Sequence, residues 1–113
     1  MKIIIYHNPT CSKSRAVLSI LNSKGVEFDL IDYIKKPPNQ AILKKILDKM
    51  GGNAADLLRT NEREYQDLGL KNATDEKILD AITSNPILLQ RPIVISDTKA
   101  IIGRPPERVL DIL

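Results

Sequence analysis

Three features of the sequence predict an α/β fold. It opens strand–helix–strand, it then runs from Asn39 to Ser84 with almost no strand character, and it closes on short apolar runs again. The expected architecture is a mixed four-stranded sheet with flanking helices. A helical insert at about residues 39–85 would sit within a single domain spanning residues 1–113. An apolar fraction of 42% against 27% charged residues is ordinary globular composition, so neither disorder nor a fibre is expected.

Lys2 to Tyr6 is short, β-branched and bounded by Asn8-Pro9, which reads as a buried strand. Ser12 to Lys24 reads as a helix whose apolar face carries Ala16, Val17, Ile20 and Leu21, with Gly25 where a helix end wants positive φ. Glu27 to Tyr33 alternates polar and apolar residues, so a second strand parallel to the first is expected. Pro37-Pro38 closes that unit. Ile42, Leu43, Ile46, Leu47 and Met50 then mark a helix stopped by Gly51-Gly52, with shorter helical pieces at 54–58 and 62–68. Thr74 can cap a helix bearing Ile78, Leu79 and Ile82, ended by Asn85-Pro86. Pro92 to Ser96 and Ala100 to Gly103 read as a hairpin, and Val109, Leu110 and Leu113 suggest a terminal helix with Pro106 in its first turn.

Composition also narrows the chemistry. One cysteine rules out an intramolecular disulfide, and one histidine with one cysteine argues against a zinc site. No apolar run approaches the ~20 residues a membrane helix needs, and Met1-Lys2 leads straight into a strand without a secretory pattern. A cytoplasmic protein without a membrane partner is expected. The net charge of +3 is modest, aromatic residues make up only 4%, and the lysines are scattered, which disfavours nucleic acid and favours small anions.

Cys11 is the first candidate for chemistry. It lies in a polar loop, between Thr10 and Ser12, where a strand hands over to a helix N-terminus. The unpaired N–H groups and positive dipole end there favour a thiolate and can hold an anion beside it. Cys11-Ser12-Lys13-Ser14 is the C-x-x-S variant of a redox motif, so an oxidised Cys11 must be resolved by an external thiol. A phosphatase-type loop is excluded, because the arginine it needs six positions on is replaced by Val17 and the nearest arginine is Arg15. Arg59, Arg91 and Arg104 each fall at a junction between elements. If they converge on Cys11 they form a guanidinium cage for a tetrahedral oxyanion; order along the chain leaves that open. His7, four residues before Cys11, either is structural or supports the thiolate as a partial positive charge. Lys13 and Arg15 read as solvated.

Tyr6-His7-Asn8-Pro9-x-Cys11, Leu58-Arg59, Asn85-Pro86-Ile87-Leu88, Arg91-Pro92-Ile93-Val94 and Arg104-Pro105 together resemble the glutaredoxin-coupled arsenate reductase family over essentially the whole chain. The resemblance implies a thioredoxin-like fold, arsenate or a similar oxyanion as substrate, and a catalytic cysteine at Cys11. It implies oxyanion-holding arginines at Arg59, Arg91 and Arg104, a thiolate-supporting histidine at His7 and a cis-proline at Pro92. It further implies glutathione as co-substrate, glutaredoxin as partner and no tightly bound cofactor. Ser-Lys-Ser-Arg follows the cysteine where better-known members have glycine first, and the chain ends at Leu113, so it resembles the short branch of the family. Two other readings stay open. One is a reductase of glutathione mixed disulfides; the other is a redox-responsive regulatory protein, whose C-x-x-C switch Ser14 would disable.

Overall fold

The computed structural model describes residues 3–113. The strand–helix–strand opening consists of β1 (Ile3–His7), α1 (Ser12–Ser23) and β2 (Phe28–Asp32). Lys2, placed by its pattern at the head of the first strand, lies outside the described residues. β1 and β2 are parallel, in register from Ile3 with Phe28 to His7 with Asp32. The turn between α1 and β2 puts Gly25 at φ +66°, a left-handed conformation that glycine adopts without a Cβ clash.

β3 (Ile93–Ile95) and β4 (Ala100–Ile102) complete a sheet of order β2-β1-β3-β4. β3 runs against β1 with Tyr6 opposite Ile93, and β4 runs against β3 with Ile93 opposite Ile102. The end of β1, the start of β3 and the end of β4 therefore share one end of the sheet. That topology gathers the loop after His7, the residues before Ile93 and the residues after Ile102.

The chain forms two compact units, Met1–Lys36 with Arg91–Leu113, and Pro37–Gln90. In the first, Val17 and Leu21 of α1 pack with Ile3, Ile5 and Val94 of the sheet and with Val109 and Ile112 near the C-terminus. Each such aliphatic side chain contributes about 1.5–3 kcal/mol on burial. The expected terminal helix is present at Pro106–Ile112 with Pro106 in its first turn, and it is a 3-10 helix. Its buried residues, Pro106, Val109 and Ile112, recur every third position as three residues per turn require, while Leu110 and Leu113 point outward.

In the second unit, α2 (Gln40–Met50), α3 (Arg63–Asp67) and α4 (Asp75–Ser84) alternate with 3-10 turns at Ala54–Leu57 and Pro86–Leu88. Asn39 Oδ1 accepts the Ile42 N–H at 2.9 Å, and Thr74 Oγ1 accepts the Lys77 N–H at 3.2 Å, so both helices begin on side-chain caps. α2 buries Leu43 and Ile46, while α4 buries Ile78, Leu79 and Ile82. The turn at Pro86–Leu88 follows the expected helix stop and allows a short antiparallel bridge between Leu58 and Leu89. The Arg59 N–H donates to the Leu88 carbonyl at 2.8 Å, and the Gln90 N–H to the Leu57 carbonyl at 2.7 Å. Among the described residues no helix is long and apolar enough to cross a membrane.

Candidate active site

The loop between β1 and α1 is shaped by Asn8. Its side-chain Oδ1 accepts the Thr10 N–H at 3.0 Å and the Thr10 hydroxyl at 2.7 Å, and its carbonyl accepts the Cys11 N–H at 3.0 Å. This Asx-type turn holds Cys11 in extended geometry as the residue that caps α1, with φ −91° and ψ 123°. The Cys11 carbonyl begins the helix by accepting the Arg15 N–H at 3.1 Å. No acidic residue occupies the first turn of α1, so nothing there opposes a negative sulfur.

Cys11 is buried, with 8% of its surface exposed. Burial by itself pushes the thiol up. The backbone N–H groups of Ser14 and Lys13, the Arg91 charge and the Ser14 hydroxyl together outweigh it and hold the thiol below its ordinary value. A second guanidinium approaches the sulfur directly, with Arg104 Nη2 lying 3.7 Å from Cys11 Sγ although the two residues are 93 positions apart. Arg104 Nε donates to the Arg91 carbonyl at 2.8 Å, which ties the two arginines together. The peptide bonds Arg91-Pro92 and Arg104-Pro105 are both cis. The first agrees with the family resemblance, and the second has no counterpart in the sequence reading.

Of the residues singled out in the sequence, Cys11, Arg91 and Arg104 come together in the sheet unit. Arg59 lies in the helical unit, where it pairs with Glu62 at 2.5 Å and donates from Nη1 to the Ile87 carbonyl at 3.3 Å. His7 ends β1 and is buried. Burial lowers its pKa more than Asp32, its partner across the strands, raises it. Burial therefore disfavours the charged form of the imidazole. Its Nδ1 is buried with no hydrogen-bond partner among the described residues. Lys13 and Arg15 are exposed, and Lys13 acts on the sulfur only through its backbone N–H.

Sequence reasoning missed Ser14 as a supporting residue. It is fully buried, its hydroxyl helps hold the Cys11 thiol below its ordinary value, and its Oγ accepts the Asn8 N–H at 3.4 Å. The signal was present: Ser14, Val17 and Leu21 form one buried stripe of α1, and a hydroxyl on such a stripe needs a partner. Ser14→Ala should slow iodoacetamide alkylation of Cys11 at pH 7 by about tenfold, the scale set by a hydrogen bond to a charged group. An unchanged rate against pH would show that the hydroxyl does not hold the thiolate.

No three His, Cys, Asp or Glu side chains gather as metal ligands would among the described residues. A surface depression of about 600 Å³ lies at the opposite end of the sheet, lined by Ile3, Val26, Glu27, Phe28 and Asp29, and offers no nucleophile. The chemically equipped place is the Cys11 loop, which can present a sulfur nucleophile and a set of anion-binding N–H groups together.

The ArsC family model matches residues 6–112. The uncharacterized protein YfgD of Escherichia coli (strain K12) is 43% identical over 115 aligned positions, covering 99% of this chain and 97% of that protein. An arsenate reductase of Neisseria meningitidis serogroup B is 41% identical over 115 aligned positions, covering 99% of this chain and 98% of that protein. The solved arsenate reductase from Vibrio cholerae superposes with a TM-score of 0.96 at 38% identity, covering 100% of this chain and 98% of that one. The mixed four-stranded sheet with flanking helices is thus the thioredoxin-like fold of those structures. A match over nearly every position, from the end of β1 to the last 3-10 helix, means that the chain belongs to the ArsC family.

Proposed function

We propose that the protein is an arsenate reductase that works with glutathione and glutaredoxin. The observation that carries this reading is the Arg104 guanidinium 3.7 Å from a thiolate-favouring Cys11 at a helix start, a nucleophile and an anion cradle in one place. The names of the arsenate reductases it resembles point the same way. Cys11 attacks the arsenic of arsenate, a hydroxyl leaves as water, and the adduct is held by Arg91 and Arg104. The family resemblance gives Arg59 a third place around the oxyanion.

The thiol of glutathione then attacks the adduct. Arsenic(V) takes two electrons and leaves as arsenite, and the two thiols end as a mixed disulfide on Cys11. Glutaredoxin removes the glutathionyl group. Ser14 stands where a second cysteine would resolve the disulfide internally, and the sequence has no other cysteine, so this last step falls to an external thiol. His7 serves as a neutral neighbour of the loop. The chemistry calls for no tightly bound cofactor, glutathione is a co-substrate, and the cytoplasm, where a glutathione pool is maintained, is the fitting compartment.

The test is arsenate-dependent NADPH consumption coupled through glutathione, glutaredoxin and glutathione reductase, run beside the same assay with a glutathione mixed disulfide as oxidant. Turnover on arsenate that requires glutaredoxin supports the proposal. Turnover on the mixed disulfide alone would replace it with a general deglutathionylase.

A further inference from the structure

We infer that Arg104 acts first on the sulfur, as a positioning residue that holds Cys11 Sγ before any oxyanion arrives, and that the Arg91 carbonyl holds it in that role. A guanidinium carries five N–H donors in a rigid plane, so fixing one donor fixes the direction of the rest. Here Nε is fixed on the Arg91 carbonyl at 2.8 Å, and Nη2 then stands 3.7 Å from the sulfur. The backbone on either side is also tied down. Gly103 N–H donates to the Pro92 carbonyl at 2.9 Å, and Arg104 N–H donates to the Ile102 carbonyl at 2.9 Å.

Arg91 differs. It acts on Cys11 through charge, and its Nε is buried without a hydrogen-bond partner among the described residues. Arg104 is thus the arginine with a directed contact to the sulfur, and its undirected N–H groups remain for an oxyanion bonded to that same atom. A lysine at this position keeps the charge but, as a single ammonium on a flexible stem, cannot hold the carbonyl and the sulfur in one fixed plane. The inference rests on Cys11 being the reactive thiolate and does not require arsenate to be the substrate.

The experiment is the rate of iodoacetamide alkylation from pH 5 to 9 for wild type, Arg104→Lys and Arg104→Gln, with arsenate titrated in parallel as a protectant. Both variants should alkylate about tenfold more slowly at pH 7 and follow a profile displaced to higher pH, the loss expected of one charge-assisted hydrogen bond. Should Arg104→Gln melt early, Arg104→Lys decides. A wild-type profile in Arg104→Lys, with the loss confined to arsenate protection, overturns the inference and makes Arg104 an oxyanion ligand alone. A wild type that alkylates fast, loses that speed in both variants and yet fails to reduce arsenate overturns the proposed substrate and supports the positioning role.

Discussion

Cys11→Ser is expected to reduce arsenate-dependent NADPH consumption to background, a loss of more than about 10³-fold. The sequence contains one cysteine, so each covalent step of the proposed cycle passes through this sulfur. A serine hydroxyl in the same geometry would still receive the N–H groups of Lys13 and Ser14, but it stays protonated near neutral pH and cannot form a mixed disulfide with glutathione. Undiminished turnover in the variant would remove Cys11 from the mechanism altogether.

The same substitution gives a signature in stability. The Cys11 thiol is held below its ordinary value in the folded chain, so between the folded value and the unfolded one near ~8.5 the unfolded state binds more protons. Stability from the thiolate is therefore complete above the unfolded value and is lost as the pH falls through the folded value. Thermal melts of wild type and Cys11→Ser from pH 5 to 9 should diverge as pH rises through that window, with wild type gaining. A flat difference would mean that the loop does not favour the thiolate.

The backbone plan could be read from the sequence because its signals are local. Ile3-Ile4-Ile5 is a β-branched run ended by Asn8-Pro9, Gly25 marks a helix end, and Thr74 caps α4, each within a few residues of the feature it creates. The terminal helix was legible, but its type was not, for a physical reason. Val109, Leu110, Ile112 and Leu113 satisfy either of two apolar periods, and packing chose the three-residue one, burying Val109 and Ile112 with Val17 and Leu21. The site was legible only in part. Cys11 at a strand–helix junction declares its own chemistry, whereas the approach of Arg104 depends on the register that sets Tyr6 opposite Ile93 and Ile93 opposite Ile102. The lowering of the His7 pKa was also out of reach, because it turns on burial outweighing Asp32 across the sheet.

That register makes Gly103, which no sequence feature singled out, the position whose smallest change should disturb both stability and chemistry. A Cβ at Gly103 would stand 2.8 Å from Val17 Cγ2 and 3.0 Å from Pro92 Cγ. Val17 is a fully buried β-branched residue of α1, and the proline ring has no rotamer to give, so the backbone at the end of β4 must move instead. Gly103→Ala should cost about 1–3 kcal/mol, the usual range for overpacking a core, and lower the melting temperature by several degrees. Because the Gly103 N–H holds the Pro92 carbonyl and the next residue carries the guanidinium beside the sulfur, Cys11 alkylation at pH 7 should slow in the same variant. Val17→Ala makes room on one side of the added methyl, so the double variant Val17→Ala with Gly103→Ala should lose less stability than the two single losses summed. Strict additivity, or a Gly103→Ala protein as stable and as reactive as wild type, would show that the end of β4 yields freely and that the fit between Gly103, Val17 and Pro92 does not set the place of Arg104.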